Sequence, residues 1–272
     1  MSKRLISSIV LILLLILAIL IGNKAFVALA FLINAISLYE YINVIDKGKH
    51  HLEISKVLYI ILGTLMLIFA AVNSKLIIPS IPIIMVLIAI INISNKKYHS
   101  QTTIYGVFGI LYISLILSFM IMLLNKLNHT GLALIIFAIL ISVATDSFAF
   151  LFGIKFGKHK LCPPISPKKS VEGSIFGLIF GVLAGIILYF IYTNYNILDI
   201  SLIDCIIMAI INSILCQFGD LTASMIKRTF DVKDYGKIIP GHGGVLDRID
   251  GMLFSLAGTF FYVYIVLNML TF

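Results

Sequence analysis

The chain has 272 residues, of which 61% are hydrophobic and only 12% are charged. A soluble globular domain of this composition could not cover its apolar surface with polar groups, so we predict an all-α, polytopic integral membrane protein. The net charge of +8 suits the anionic surface of a lipid bilayer or nucleotide phosphates, and we predict no nucleic-acid partner. The three cysteines have no paired spacing and are predicted to be reduced.

Nine apolar runs follow one another along the chain, and a hydrocarbon core of about 30 Å requires about 20 such residues per span. Lys3 and Arg4 precede the first run, whose apolar core is longer than that of a typical signal peptide, so we predict an uncleaved anchor. The runs cover residues 5–21, 25–45, 57–73, 76–93, 102–124, 130–152, 173–193, 202–226 and 251–271.

The basic residues predict the orientation of these spans. With a cytoplasmic N-terminus, the N-terminal tail and the even-numbered loops hold 17 Lys and Arg residues, and only Lys24, Lys75 and Lys126 lie outside. Cytoplasmic loops of membrane proteins carry such an excess of basic residues. We therefore predict that loops 153–171 and 227–250 face the cytoplasm and that the C-terminus at Phe272 lies outside.

An aspartate stands inside each of the two apolar runs that precede these loops, Asp146 in the sixth run and Asp220 in the eighth. A charged side chain at the centre of a membrane helix costs about 2.5–3.5 kcal/mol on insertion scales, so an intramembrane carboxylate is by default functional. A structural hydrogen bond to a neighbouring helix is the alternative for both residues. Gln217, Asp220, Ser224 and Lys227 are spaced to form one polar stripe on a helix face.

Polar residues continue from this stripe into the last apolar run. The chain turns at PGHGG, where glycine allows the backbone to approach a ligand closely, and we predict that His242 contacts that ligand. Asp247 and Asp250 follow at i and i+3, so they share a face on the first turn of the last helix. Three carboxylates are thus predicted to converge at the cytoplasmic boundary.

Oxygen ligands without a His or Cys pair favour Mg²⁺ over zinc or copper. Because Mg²⁺ binds one or two carboxylates and takes its other ligands from water and phosphates, we predict a phosphate-bearing substrate. Glu172, at the start of the seventh run, is explained by N-capping and the helix dipole as well as by function. The basic residues suited to the substrate are Lys168, Lys169, Lys227 and Arg228, whereas Lys96, Lys155, Lys158 and Lys160 are interpreted as topology anchors.

Residues 224–250, SMIKRTFDVKDYGKIIPGHGGVLDRID, resemble the signature of the phosphatidate cytidylyltransferases, or CDP-diacylglycerol synthases. That signature consists of Ser, Lys-Arg, Lys-Asp, a Pro-x-His-Gly-Gly turn and Asp-Arg-x-Asp, and each fixed position is present. TDSFAFLFGIKFGKHKL and SPKKSVEG are similar to two further elements of the family, with Ser147, Phe150, Ser170 and Val171 at positions where the family often has Thr, Tyr, Thr and Trp. The resemblance covers residues 142–255 and rests on hydropathy alone for residues 1–140.

The resemblance implies a Mg²⁺-dependent reaction of CTP with phosphatidic acid that gives CDP-diacylglycerol and pyrophosphate for phospholipid biosynthesis. It implies that Asp220 and Asp247 hold the ion, and that Asp250 supports the site or takes a second cation. Lys227, Arg228, Lys168 and Lys169 would neutralise phosphate charge. The remaining residues expected to bind substrate are Ser224, His242, Gly243, Gly244, Asp146 and Glu172.

The resemblance also implies a homodimer. We predict a multi-pass protein of the plasma membrane whose active site faces the cytoplasm, with N-terminal helices in residues 1–130 and the catalytic region in residues 131–272. A secondary transporter would also place carboxylates in a membrane, but inverted repeats and broken helices are not evident in the sequence. Another CTP-dependent lipid enzyme, such as a polyprenol kinase or an archaeal-type CDP-lipid synthase, would share the charge pattern without the full motif.

Overall fold

The computed structural model describes residues 13–14, 16–47, 56–94, 100–241 and 243–270. Most of the first predicted span, together with His242 and Phe272, lies outside these described residues. The helices are α1 (Asn23–Lys47), α2 (Lys56–Val72), α3 (Ile77–Ser94), α4 (Ser100–Gly109), α5 (Ile116–Leu127), α6 (His129–Phe156), α7 (Val171–Asn194), α8 (Leu202–Thr229) and α9 (Leu246–Ile265). A 3₁₀ turn (Ser74–Leu76) precedes α3, a π-helical segment (Ile110–Leu115) joins α4 to α5, and the strands are β1 (Lys160–Cys162) and β2 (Ser166–Ser170).

This architecture confirms the predicted class, an all-α polytopic membrane protein. Within the described part of the chain, six helices are long and apolar enough to cross a membrane. They are Asn23–Asp46, Ser74–Ser94, Thr103–Leu127, His129–Phe156, Val171–Asn194 and Leu202–Thr229. The predicted total of nine spans, the cytoplasmic N-terminus and the outer C-terminus stay predictions.

The described residues form two compact units, one from those within 13–125 and 229–248 and one from those within 126–228 and 249–270. In the first unit, α1 packs against α2 and the π-helical segment. The Ser114 hydroxyl donates a hydrogen bond to Asn34 Oδ1 at 2.7 Å, and both side chains are fully buried. This hydrogen bond links α1 to the π-helical segment inside an apolar core.

In the second unit, α6 and α7 form the most extensive helix pair. Four of the six buried residues of α7 are glycines at every fourth position, and the first two of them allow the backbone of α6 to approach closely. The Thr145 hydroxyl donates to Ser213 Oγ at 3.0 Å and so links α6 to α8. The buried glycines of α7 are Gly173, Gly177, Gly181 and Gly185.

Loop 153–171 contains a feature that the sequence analysis did not predict, an antiparallel hairpin of β1 and β2. Its turn is closed by a hydrogen bond from Ile165 N to the Cys162 carbonyl at 3.2 Å. Ser170 ends β2 and caps α7, because its hydroxyl accepts from Gly173 N at 3.2 Å. Strands of 3 and 5 residues are too short to show an alternating pattern, which explains why sequence reasoning took the segment for a loop.

Candidate active site

The centre of the candidate site in the second unit is a close crossing of α8 and α9. A Cβ atom on Gly219 would lie 2.6 Å from the Asp250 carbonyl oxygen, and one on Gly251 would lie 2.8 Å from Cys216 Sγ. Contacts this short show that the two backbones approach each other where neither residue has a side chain. Asp220 and Asp250 are the immediate neighbours of these glycines, so the crossing brings the two predicted carboxylates together.

Asp220 pairs with a basic residue of the hairpin. Lys169 Nζ lies 2.5 Å from Asp220 Oδ2, and the side chains are 25% and 29% exposed. The Ser224 hydroxyl lies one helical turn further on and donates to Asp220 Oδ1 at 3.4 Å. The structure therefore brings Asp220, Ser224 and Lys169 together.

Asp250 is the most enclosed of the three aspartates Asp146, Asp220 and Asp250, with a relative exposure of 8%. It interacts electrostatically with Asp220, Asp146 and Lys227, and its Oδ1 accepts a hydrogen bond from Gly251 N at 2.8 Å. Lys227 is also only 8% exposed. A buried ammonium group beside a buried carboxylate offsets part of the cost of removing each charge from water.

Asp146 reaches the same cluster from α6. Its Oδ1 accepts a weak hydrogen bond from Cys216 Sγ at 3.6 Å, and its Oδ2 faces the Cα of Gly251. Asp146 is exposed even though its helix is apolar. The functional role of Asp146 stays a prediction beside the structural alternative of a hydrogen bond to α8.

Arg228 and Lys168 are the other two basic residues of this unit that the sequence analysis assigned to the substrate. Arg228, at the end of α8, donates from Nε to the Ile165 carbonyl at 3.4 Å and so links that helix to the hairpin turn. Lys168 on β2 is exposed. Two connections, Lys169 with Asp220 and Arg228 with Ile165, therefore hold the hairpin against the end of α8.

Glu172 and Gln217 form hydrogen bonds that connect neighbouring segments of this unit. The Glu172 carboxylate accepts hydrogen bonds from Lys158 N at 3.0 Å and from His159 N at 3.2 Å, and it contacts His159 Nδ1 at 2.6 Å. These bonds hold the segment between α6 and β1, so they favour the structural alternative for Glu172. Gln217 bonds to Ser174 on α7 through both atoms of its amide, which makes it a link between helices.

The first unit contains the glycine-rich turn and Asp247. Asp247 Oδ2 accepts hydrogen bonds from Tyr235 N at 2.8 Å and from Gly244 N at 2.9 Å. Ile239 N donates to the Gly243 carbonyl at 2.9 Å, and Gly243 has a φ of +89°, which residues with a side chain rarely adopt. Asp247 is thus a residue that shapes the turn, and its role as a metal ligand stays a prediction.

Sequence reasoning missed Glu40, a fully buried carboxylate on α1. Its Oε1 accepts from Val245 N at 3.1 Å and its Oε2 from Leu246 N at 2.9 Å, both at the start of α9. The signal was available, because Glu40 is an acidic residue inside the apolar run 25–45. The argument applied to Asp146 and Asp220 would have singled it out as well.

The donor set of the second unit is compatible with Mg²⁺. Among the residues that the structure describes, no three His, Cys, Asp or Glu side chains form a group that could hold a metal ion. Mg²⁺ needs fewer protein ligands, because it keeps several waters and uses one or two carboxylates with substrate phosphates. Asp220 and Asp250 provide such a pair of hard oxygen donors.

Carboxylates of this cluster can hold a hard cation, and its lysines can pair with phosphate groups. The model of the cytidylyltransferase family matches residues 2–267, and the chain belongs to this family. The match extends over the N-terminal helices, for which the motifs gave no resemblance.

Several curated relatives of this chain are named phosphatidate cytidylyltransferase. The phosphatidate cytidylyltransferase of Staphylococcus saprophyticus is 42% identical over 135 residues, which make up 50% of this chain and 50% of the relative. That of Staphylococcus haemolyticus is 43% identical over 126 residues, which make up 46% of this chain and 47% of the relative. That of Staphylococcus aureus (strain COL) is 40% identical over 136 residues, which make up 50% of this chain and 50% of the relative. The aligned segments therefore span about half the length of these relatives.

Proposed function

We propose that the protein is a phosphatidate cytidylyltransferase, which converts CTP and phosphatidic acid to CDP-diacylglycerol and pyrophosphate. The observation that carries the proposal is the cluster of Asp220, Asp250, Lys169 and Lys227. Its residues belong to segments that resemble the family signature. The cluster combines oxygen ligands for a cation with ammonium groups for phosphate, and both are required where two phosphorylated substrates react.

The proposed reaction is an in-line displacement at the α-phosphorus of CTP. An oxygen of the lipid phosphate forms the new P–O bond while the bond to the β-phosphate breaks, and the electron pair leaves with pyrophosphate. A phosphate monoester has a second pKa of about 6, so the nucleophile is already ionised near neutral pH and requires no strong general base. Catalysis then consists of positioning and charge neutralisation.

The three lysines Lys169, Lys227 and Lys168 would have different roles in this reaction because they differ in exposure. Lys169, at the edge of the cluster with a 25% exposed side chain, would exchange its contact with Asp220 for a substrate phosphate. Lys227 would stabilise negative charge from inside the cluster, where low exposure strengthens its field. Lys168, exposed on the same strand, would attract the nucleotide.

We further propose Mg²⁺ as the cofactor, held by Asp220 and Asp247 as the family resemblance implies, with Asp250 supporting the site. When bound, the ion would neutralise phosphate charge and help to orient the nucleotide. A second cation on Asp250 belongs to the same proposal. We also propose that the site faces the cytoplasm from the plasma membrane, where CTP is available, and that the protein forms a homodimer.

Thin-layer analysis of labelled CTP incubated with membranes and phosphatidic acid tests this function. The expected product is a labelled liponucleotide that requires phosphatidic acid, Mg²⁺ and the overexpressed chain. A phosphorylated alcohol formed from polyprenol would instead indicate a lipid kinase, and a liponucleotide formed only from an ether lipid would indicate an archaeal-type enzyme. Absence of any product would contradict the proposal.

A further inference from the structure

Glu40 is a buried carboxylate inside an apolar helix. It lies on α1, a helix apolar enough to cross a membrane, and its side chain is 1% exposed. Burying an ionised carboxylate is unfavourable unless hydrogen bonds compensate for the lost water. Its partners are the backbone N–H groups of Val245 and Leu246, each bonded to a different oxygen.

These two N–H groups belong to the start of α9. The first N–H groups of a helix have no partner within the helix, and the helix dipole makes its N-terminus favourable for a negative charge. Glu40 therefore caps the start of this helix from a distant part of the sequence. The separation of Glu40 from its partners is 205 and 206 residues.

The glycines of the turn are shaped around the same carboxylate. A Cβ atom on Gly244 would lie 2.5 Å from both Glu40 oxygens, and one on Gly236 would overlap Oε1. Gly244 N donates to Asp247 Oδ2 at 2.9 Å, so Gly244 lies between two carboxylates. Tyr41, the next residue on α1, packs near Tyr235 with ring centroids 6.5 Å apart.

From these contacts we infer that Glu40 is a positioning residue for the proposed reaction, because it fixes Gly244 and the first residues of α9 in the geometry that receives CTP. The inference rests on the proposed function. It assigns to the N-terminal helices a part in nucleotide binding that the signature motifs do not contain. Glu40 acts through the backbone of the turn and contacts no reacting atom.

The test compares Glu40→Gln with Asp46→Asn in the full-length protein. Gln has the size of Glu but has only one acceptor oxygen, so it leaves one N–H group facing an amide NH₂ group. Asp46 is a matched control on α1, where it pairs with Lys56 at 3.4 Å. We would measure hydrogen–deuterium exchange of the peptides covering residues 235–246, the Tm, and the KM and kcat for CTP.

Glu40→Gln is expected to exchange faster in residues 235–246 and to raise the KM for CTP by about tenfold or more, since a hydrogen bond to a charged group is lost. Asp46→Asn is expected to match the wild type in both measurements. Unchanged exchange, or faster exchange with an unchanged KM, would overturn the inference. A merely structural role would lower only the Tm and the amount of active protein.

Two precautions keep the outcome decisive. If Glu40→Gln does not accumulate, Gly236→Ala provides the same test from the other side of the contact, because its new Cβ would displace the Glu40 carboxylate. Gly236→Ala must then show the faster exchange and the raised KM, or the inference fails. If the wild type forms no liponucleotide, the proposed function fails, while the exchange data still decide whether Glu40 holds the turn.

Discussion

Lys168 and Lys169 are adjacent in sequence but differ in their surroundings. Lys169 forms an ion pair with Asp220 and is 25% exposed, whereas Lys168 is exposed. An exposed ammonium group contributes mainly to attraction at a distance, whereas a partly enclosed one makes the stronger contact. The two lysines should therefore contribute unequally to nucleotide binding.

Replacing both lysines with Gln is expected to raise the KM for CTP by about tenfold or more, with Lys169→Gln accounting for most of the change. Steady-state kinetics with purified variants, normalised to folded protein, measure this effect. Lys160→Gln is the matched control, because Lys160 is an exposed lysine on the paired strand β1. Kinetics like those of the wild type for the double variant would return both residues to the role of topology anchors.

The crossing of α8 and α9 depends on two glycines with different neighbours. A side chain at Gly219 would meet the backbone carbonyl of Asp250, which cannot move without shifting the helix. A side chain at Gly251 would first meet Cys216 Sγ at 2.8 Å and then the Cys216 carbonyl at 3.0 Å. The atom nearest to a side chain at Gly219 therefore belongs to the backbone, whereas the atom nearest to one at Gly251 belongs to the Cys216 side chain, which a substitution can remove.

Gly219→Ala and Gly251→Ala are each expected to lower turnover strongly, because the shift of either helix moves Asp220 relative to Asp250. Adding Cys216→Ala should restore part of the activity of Gly251→Ala and none of that of Gly219→Ala. Activity assays of the three single variants and the two double variants, with circular dichroism as the control for helix content, measure this difference. Equal rescue at both glycines, or no loss in the single variants, would contradict the proposed packing.

Helix positions could be predicted from apolar runs because a membrane span requires a long stretch without charge. The run 202–226 corresponds to Leu202–Thr229, and 173–193 corresponds to Val171–Asn194. The π-helical segment Ile110–Leu115 inside the run 102–124 was not predicted. Hydropathy detects burial in lipid but does not distinguish α-helical from π-helical hydrogen bonding.

The candidate site was predicted in part. Asp220, Ser224 and Asp250 followed from periodicity and charge because they lie close together in sequence or on one helix face. The contact of Glu40 with Val245 and the bonds of Asp247 to the turn could not follow, because backbone N–H groups leave no mark in the sequence and the partners of Glu40 lie more than 200 residues away. Long-range contacts of this kind require the fold.

The orientation of the chain in the membrane gives a further prediction. The excess of basic residues predicts that Lys233, which is exposed, faces the cytoplasm, and that Asn196, between α7 and α8, lies outside. Single cysteines at these positions in a background without Cys162, Cys205 and Cys216 should react with an impermeant thiol reagent in intact cells only at position 196. Labelling of position 233 from outside would contradict both the span count and the location of the site.

The proposed account depends most on the carboxylates of Asp220 and Asp247. Asp220→Asn keeps the size of the side chain and removes a charge that is costly within a membrane, so folding should be preserved. A catalytic role and a structural role of Asp220 therefore predict different results for Asp220→Asn. A structural role would reduce thermal stability or expression and leave turnover in proportion to the folded fraction.

The most direct measurement is CDP-diacylglycerol formation per folded molecule, across a Mg²⁺ titration, for Asp220→Asn, Asp247→Asn and the double variant. Each single variant is expected to fold normally and to lose activity by about 10³-fold or more, equivalent to about 4 kcal/mol of transition-state stabilisation. The double variant should be hardly worse than either single one, because both carboxylates are proposed to act through one ion. Near-wild-type turnover of either single variant at low Mg²⁺ would contradict the account.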